Sequence, residues 1–314
     1  MTAARERGRV WALAIHGGAG AGRQEEGAEA LEREIREALA DVLDATARLL
    51  SAGAAALDAA EEAVVRLEDS PLFNAGKGSV PNERGEFELD ASIMDGRTLR
   101  AGAVAGLRTV KNPVRAARLV LERSPHVFLA GPGAEAFAAR EGAELVDPAY
   151  FETERRRAAF EAAKRNAQNA LPGDTGTVGA VALDVHGNLA AATSTGGLTS
   201  KAVGRVGDSA VIGAGTFASN ASCAVSCTGH GETFIRATAA RDVASLMEHA
   251  KLDLEAAARN VIHERVASLG GEGGLIAVDS RGRVAFAFNT ALMLRGAITH
   301  DSPQRVGIRI DDLA

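Results

Sequence analysis

The chain has 314 residues, of which 46% are hydrophobic and 24% are charged, as in most globular proteins. Its net charge of −6 argues against the basic face expected of a nucleic-acid-binding protein. No apolar run approaches the roughly 18 residues of a membrane span, and the first one, WALAI, is too short for a secretory signal. We therefore expect a cytoplasmic protein with no nucleic-acid or membrane partner. The mild net charge does not exclude a local cationic pocket for a small acidic substrate.

The two cysteines, Cys223 and Cys227, are too few for a disulfide framework and do not form a CxxC metal motif. Residues four apart in a strand point to the same face. We expect two small buried side chains in a reducing compartment.

The first half of the chain alternates strand and helix signals. Apolar residues spaced by three, four and seven predict an amphipathic helix over 27–50. The other predicted elements are a strand at 11–15, a glycine loop at 16–20, a helix at 54–67, an ordered loop at 67–80, strands at 87–94, 102–107 and 126–130, a helix at 113–121 capped by Asn112, and a helix at 133–140.

A charged and polar segment, FETERRRAAFEAAKRNAQNALPGD, occupies residues 151–174. It is poor in β-branched residues and has no clear apolar stripe, which is typical of linkers. We expect a mobile linker over about residues 151–176.

The second half begins with a hairpin signal, because the runs 177–185 and 188–195 flank a Gly-Asn turn. Hairpins exclude a purely parallel sheet, and helices on both outsides indicate a layered α/β sandwich. The remaining predictions are strands at 210–214, 222–228, 275–279 and 284–289, helices at 232–249 and 254–268, and a last strand at 305–310.

The joint between Gly176 and Thr177 admits two interpretations. A turn into a strand is the ordinary one. If the chain were cut there, Thr177 would carry a free α-amine, whose ordinary pKa of about 7.7–8.0 lets it take the proton of its own hydroxyl. The hydroxyl could make the cut by attacking the Gly176 carbonyl, and glycine permits the strained backbone that this requires.

Two later segments carry groups suited to such chemistry. Arg205 can bind a carboxylate and Asp208 an ammonium, so together they could hold a zwitterionic α-amino acid, although a surface salt bridge would use the same residues. In SCTGHGE, residues 226–232, the Thr228 hydroxyl and nearby N–H groups could stabilise an oxyanion, although a Thr-Gly helix cap is the simpler alternative.

Taken together, these segments resemble the plant-type asparaginase and isoaspartyl peptidase family of N-terminal-nucleophile hydrolases. The resemblance covers essentially the whole chain and is specific because the motifs occur in the family's order. They are AIHGGAG at 14–20, PLFNAGKG at 71–78, ELDASIMDG at 88–96, AGAVAG at 101–106, NPVRAARLV at 112–120, GTVGAVALD at 176–184, AATSTGG at 191–197, GRVGDS at 204–209 and SCTGHGE at 226–232.

The resemblance implies a four-layer αββα sandwich with mixed or antiparallel sheets, formed by a single domain. It implies self-cleavage into an α-subunit of residues 1–176 and a β-subunit of residues 177–314, paired as (αβ)₂. The substrates would be L-asparagine and β-aspartyl dipeptides, hydrolysed to L-aspartate through a β-aspartyl-threonyl intermediate.

The resemblance also implies residue roles. Thr177 would be the nucleophile, Thr195 its hydroxyl neighbour, and Asn74 would position it. The substrate contacts implied are Arg205 to the α-carboxylate, Asp208 and the Gly231 carbonyl to the α-amine, and Thr228 with Gly229 to the oxyanion.

The loop 67–77 resembles the family's sodium-binding loop. No catalytic cofactor is implied, but a structural sodium ion is. An oxygen-only ligand set suits a hard cation. Lys77 departs from the apolar residue we expect at its position, which a backbone ligand tolerates. The ligands implied are the backbone carbonyls of Leu67, Glu68, Ser70, Phe73, Ala75 and Lys77.

Two alternatives remain open. The glycosylasparaginase branch of the same superfamily is secreted and disulfide-bonded, which two cysteines and no signal argue against. A phosphate- or nucleotide-binding protein could use the glycine loop at 16–22, although a Walker lysine at the required spacing is missing.

Overall fold

Two β-sheets stacked face to face form the centre of the molecule, which we describe from a computed structural model over residues 10–20, 28–165 and 176–313. The larger sheet contains β1 (Ala12–Gly20), β2 (Leu89–Asp95), β3 (Ala101–Leu107), β4 (Phe128–Ala130), β5 (Val178–Leu183), β6 (Leu189–Thr195), β11 (Leu292–Thr299) and β12 (Ser302–Arg309). The smaller sheet contains β7 (Thr216–Ala218), β8 (Cys223–Gly229), β9 (Gly273–Asp279) and β10 (Val284–Phe288).

The strand order is β12-β11-β1-β5-β6-β2-β3-β4 in the larger sheet and β10-β9-β8-β7 in the smaller one. Neighbouring strands pair antiparallel except for β3 and β4, which pair parallel. The helices are α1 (Ala28–Ser51), α2 (Ala56–Asp69), α3 (Pro113–Arg123), α4 (Gly131–Arg140), α5 (Glu154–Arg165), α6 (Gly231–Ala237), α7 (Ala239–Glu248) and α8 (Leu254–Asn260).

Three apolar clusters define the layers. The first lies between the larger sheet and helices α1 to α3, and the second lies between the smaller sheet and helices α7 and α8. The third, which includes Val181, Ala191 and Ile276, fills the space between the two sheets. This arrangement confirms the predicted αββα sandwich with mixed or antiparallel sheets.

Strands β5 and β6 form the predicted hairpin, with Ala180 opposite Ala192 and Leu183 opposite Leu189. The Asp184 carboxylate accepts hydrogen bonds from the turn N–H groups of His186 and Asn188, both at 2.9 Å. This hairpin places Thr177, just before β5, beside the end of β6.

The glycine loop predicted at 16–20 is wrong, since these residues continue β1. The strand bulges between His16 and Gly18, and Gly18 has a φ of 118°, which favours glycine. β5 pairs with this segment only at His16, and β11 pairs with Gly18, Ala19 and Gly20 and keeps them extended.

Four other local predictions were wrong. In place of the strand predicted at 210–214, a short 3-10 turn, Asp208–Ala210, is followed by bends and turns, and the strand starts only at Thr216. The helix predicted at 232–249 breaks at Thr238, which is left-handed with φ 47°. Strand β11 was missed, and the Asn112 side chain bonds to Asp69 instead of capping α3.

The predicted linker is partly a helix. Helix α5 (Glu154–Arg165) buries Phe160 and Arg156, and the Arg156 Nε donates to the carbonyl oxygen of Gly78 at 2.8 Å. Two inward-facing residues therefore hold a segment without a full apolar stripe. Residues 166–175 lie outside the described residues.

Cys223 and Cys227 are both free and buried in the cluster beneath α7 and α8, as their spacing predicted. Across the described ranges, no helix combines the length and the apolarity that crossing a membrane requires.

Candidate active site

The Gly176–Thr177 joint lies at the entrance to β5, with the Thr177 side chain almost fully buried. The pairing of Val178 with Ser194 brings Thr177 next to Thr195. The Thr177 hydroxyl donates to the Thr195 Oγ1 at 3.1 Å. The first two residues of the predicted site are therefore in direct contact.

The carbonyl oxygen of Gly176 accepts two hydrogen bonds. Asn74 Nδ2 donates at 2.7 Å and the Thr195 hydroxyl donates at 3.2 Å. Asn74 is itself fixed, because its Nδ2 also donates to the Gly197 carbonyl oxygen at 2.7 Å and its Oδ1 accepts from Val80 N–H at 2.9 Å. Donors thus surround the carbonyl oxygen of the predicted cleavage site.

A narrow cleft opens beside this joint. Its lining includes most of the residues that the sequence assigned to nucleophile and substrate binding. They are Gly176, Thr177, Thr195, Gly197, Leu198, Arg205, Gly207, Asp208, Ser209 and Gly229.

Arg205 forms an ion pair with Glu232, not the alternative salt bridge with Asp208. Its Nε and Nη2 donate to the two Glu232 carboxylate oxygens, each at 2.8 Å. This bidentate pair lowers the pKa of Glu232 to about 2. The sequence analysis did not predict a role for Glu232, although Glu232 is the last residue of the SCTGHGE motif, four residues after Thr228.

Asp208 is buried beside Arg205. Burial raises the pKa of its carboxyl to about 7, which the charge of Arg205 partly opposes. Its Oδ2 has no hydrogen-bond partner within the described chain. A buried acceptor of this kind is suited to a cationic ligand.

Two glycines near Asp208 are closely packed: Gly231 lies against Arg205 and Asp208, and Gly229 lies against the start of β9. A Cβ at Gly231 would lie 3.0 Å from both Arg205 Nη2 and Asp208 Oδ1, and one at Gly229 would lie 2.4 Å from the Glu272 carbonyl oxygen.

The buried Thr228 hydroxyl has no partner in the described ranges and lies in β8, so it does not cap α6, whose first residue is Gly231.

The predicted cation loop follows α2. A Cβ at Gly76 would lie 2.5 Å from the Glu68 carbonyl oxygen, and one at Gly78 would lie 2.8 Å from that of Phe73. The Lys77 side chain turns away, with its Nζ 5.7 Å from the centre of the Tyr150 ring. The Glu68 carbonyl oxygen already accepts from the Lys77 N–H at 2.7 Å, so the crowding at Gly76 closes a tight turn. At Gly78 the carbonyl oxygens of Pro71 and Phe73 both lie close to where a Cβ would stand, and such a pair of oxygens fits a hard cation.

The other predicted ligand residues are distributed over the same turn. Leu67, Phe73 and Ala75 are buried, and the Leu67 carbonyl oxygen also accepts from Ser70 N–H at 3.3 Å. Burial of the Glu68 side chain raises the pKa of its carboxyl to about 8. No cluster of three or more His, Cys, Asp or Glu side chains suited to a metal occurs among the described residues.

The described part of the phosphate-loop alternative, residues 16–20, is strand and does not open a helix. His16, which the sequence left without a role, is fully buried and contacts the predicted nucleophile, since its Nδ1 lies 2.9 Å from the Thr177 carbonyl oxygen. A polar residue in an otherwise apolar strand was the available signal.

Comparison with known proteins gives a consistent result. A family model described as asparaginase matches residues 9–308. The chain is 52% identical over 294 residues to an isoaspartyl peptidase of Escherichia coli (strain K12), which covers 90% of this chain and 91% of that protein. It is 43% identical over 331 residues to a probable isoaspartyl peptidase/L-asparaginase 2 of Arabidopsis thaliana, covering 95% and 98%, and 47% identical over 273 residues to an isoaspartyl peptidase/L-asparaginase of Mus musculus, covering 86% and 83%.

Proposed function

This chain belongs to the asparaginase family, and from that premise we propose that it hydrolyses L-asparagine and β-aspartyl dipeptides after cutting itself between Gly176 and Thr177. The names of its relatives favour this activity over that of the glycosylasparaginase branch. The observation that carries the proposal is the contact of the Thr177 hydroxyl with Thr195, next to a carbonyl held by two donors.

Self-cleavage follows from this geometry. The Thr177 Oγ1 attacks the carbonyl carbon of Gly176 as its proton leaves along the hydrogen bond to Thr195. The amide C–N bond breaks, the nitrogen takes up the proton that Oγ1 released, and an ester remains. Asn74 and Thr195 stabilise the negative charge on the carbonyl oxygen. Water then hydrolyses the ester, which leaves a carboxylate on Gly176 and a free amine on Thr177.

The freed Thr177 carries both nucleophile and base. Its α-amine takes the hydroxyl proton, and Oγ1 attacks the side-chain carbonyl of the substrate. Thr228 and Gly229 hold the oxyanion. Ammonia or an amino acid leaves with the proton, and water hydrolyses the β-aspartyl ester to L-aspartate.

Arg205 and Asp208 select the substrate by its α-amino acid end. The unpaired Oδ2 of Asp208, with the Gly231 carbonyl, accepts the ammonium, and Arg205 donates to the α-carboxylate. Glu232 occupies the Nε and Nη2 edge of the guanidinium, so the substrate uses the remaining N–H groups.

We also propose a structural sodium ion in the loop 67–77, held by backbone carbonyls that include those of Glu68 and Phe73. Such an ion would stiffen the loop, which contains Asn74 and Ala75. The closeness of the Phe73 and Pro71 carbonyl oxygens to Gly78 supports this proposal.

We further propose that two cleaved αβ units assemble as (αβ)₂ in the cytoplasm. The family resemblance supports the assembly, and two free buried cysteines suit a reducing compartment. Size-exclusion chromatography with light scattering of the cleaved protein measures the assembly directly.

Steady-state kinetics test the activity. Cleaved protein should release ammonia from L-asparagine and an amino acid from β-aspartyl dipeptides. N-acetyl-L-asparagine is the matched control, because it keeps the amide and α-carboxylate but loses the ammonium that Asp208 binds. Hydrolysis of the acetylated compound at the same rate, or no hydrolysis of either natural substrate class, would overturn the proposal.

A further inference from the structure

His16 is the central residue of a buried hydrogen-bond network that reaches the nucleophile residue. It lies on β1, opposite Gly179 of β5. Its Nδ1 is 2.9 Å from the Thr177 carbonyl oxygen, and its Nε2 is 2.9 Å from the Ser226 hydroxyl of β8. The imidazole therefore joins the two stacked sheets directly behind Thr177.

The chemistry of these contacts fixes the tautomer. A carbonyl oxygen only accepts, so Nδ1 must carry the proton. The ring is neutral at neutral pH, because burial lowers the pKa of His16 to about 3. Nε2 is then an acceptor, and the Ser226 hydroxyl donates to it.

Further hydroxyls orient Ser226. Its Oγ lies 2.7 Å from Thr193 Oγ1, which in turn accepts from the Thr216 hydroxyl at 2.5 Å. With the Ser226 proton committed to His16, the 2.7 Å contact leaves Thr193 to donate to Ser226, and the longer 3.3 Å contact of the Thr193 hydroxyl with the Gly215 carbonyl oxygen shares the same proton. Ser226, Thr193 and Thr216 thus form one series of hydroxyls that ends at His16.

The network ends near the substrate-binding residues. The Ser92 hydroxyl lies 2.8 Å from Thr216 Oγ1 and 2.6 Å from the carbonyl oxygen of Ser209, which follows Asp208. One set of side chains therefore contacts the backbone of both Thr177 and the residue after Asp208.

The sequence makes room for this network at a specific position. A Cβ on Gly179 would lie 2.4 Å from His16 Nε2 and 2.0 Å from Ser226 Oγ. Real contacts of that length do not occur, so only glycine fits two residues after Thr177. His16 and Ser226 fill the space that a side chain at position 179 would otherwise take.

We propose that His16 is a positioning residue for Thr177, and that Ser226 with Thr193 holds it in the Nδ1-protonated form that anchors the Thr177 carbonyl. The proposal rests on the proposed function of Thr177. Cutting the chain frees the amine side of Thr177, so the anchor on its carbonyl side must then fix the direction of its hydroxyl and amine. Small errors in such placement cost rate steeply.

Three variants test the role. His16→Phe keeps a ring of similar size but removes the donor, and it should lower kcat and the rate of self-cleavage by about 10- to 100-fold with KM for asparagine nearly unchanged. His16→Asn retains an N–H donor near the Nδ1 position and should recover most of both rates. Ser226→Ala leaves His16 in place but frees its tautomer, and it should give an intermediate loss.

The tautomer itself is measured without activity. Nitrogen-15 NMR of the uncut Thr177→Ala protein should show one neutral imidazole protonated at Nδ1, absent from the spectrum of the double variant with His16→Phe. An Nε2-protonated His16, or equal kcat in all three variants, would overturn the proposal. Equal losses in His16→Phe and His16→Asn that track melting temperature would also overturn it. Failure of the proposed function is distinguishable, since wild-type protein would then neither cut itself nor hydrolyse asparagine.

Discussion

The side-chain amide of Asn74 donates a 2.7 Å hydrogen bond to the carbonyl oxygen of Gly176, across 102 residues of sequence. It contacts the oxygen on which negative charge develops if Thr177 attacks. An amide donor fixed by two further bonds is already oriented for that charge.

Replacing Asn74 with Ala should slow self-cleavage by about 10²- to 10³-fold, because an oriented oxyanion donor is lost. A time course on denaturing gels measures the rate. Asn220→Ala is the control, since Asn220 makes a purely structural bond to Leu189 N–H at 2.8 Å. Equal slowing in both variants would show that the effect is one of stability.

Replacing Glu232 with Gln should raise KM for asparagine several-fold with little change in kcat. The carboxylate holds Arg205 by a bidentate pair, and an amide offers one acceptor oxygen in place of two. Glu255→Gln, at an exposed position on α8, is the matched control. A kcat loss at unchanged KM would contradict the positioning of Arg205.

The pH dependence of substrate binding should follow Asp208. Burial raises the pKa of this group to about 7, with Arg205 lowering it and Glu232 and Asp90 raising it. The carboxylate must be ionised to hold the substrate ammonium, so KM should fall as pH rises through about 7. Asp208→Asn should give a high KM that no longer changes with pH.

The same group should make the folded protein less stable as pH rises, whereas it makes substrate binding tighter. Since the folded pKa of Asp208 exceeds its ordinary value of 3.8, folding favours the protonated form. Its stabilising contribution is complete below that ordinary value and declines as pH rises towards about 7. Melting curves of substrate-free protein should show this slope. It should become shallower in Asp208→Asn, where the buried Glu68 carboxyl, whose pKa burial raises to about 8, still contributes in the same direction.

The loop 67–77 gives a test for sodium. Exchanging sodium for N-methylglucamine should lower the melting temperature, and returned sodium should restore it. Gly78→Ala should abolish that response, because its Cβ would lie 2.8 Å from the carbonyl oxygen of Phe73, one of the proposed ligands. Gly53→Ala is a close control, since Gly53 has a φ of 95° against 96° for Gly78 but no neighbour within 4 Å. An unchanged sodium response in Gly78→Ala would exclude the site.

Local patterns correctly predicted the elements in which the local sequence preference and the tertiary packing favour the same structure. Helix α1 and the β5–β6 hairpin followed from periodicity and turn residues. Residues 16–20 could not be recognised as strand, because pairing with β5 and β11 overrides their glycine-rich sequence. The predicted helix breaks at Thr238, which has a left-handed backbone conformation. No glycine stands there to indicate the break.

In the site, too, local motifs predicted some residues, and contacts between distant parts of the chain decided others. The motif order identified Thr177, Thr195, Arg205 and Asp208, and the fold brings them to one cleft. The partner of Arg205 could not be read from the sequence, since Glu232 lies 27 residues away and reaches Arg205 only through the turn from β8 into α6.

The most direct test of the central claim is mass spectrometry with N-terminal sequencing of purified, aged protein. We predict two fragments of about 18 and 14 kDa from the 32.3 kDa chain, the smaller starting at Thr177. Thr177→Ala should remain one chain without asparaginase activity. A Thr177→Ala chain that still splits at this bond, or an intact wild-type chain that is fully active, would contradict the account.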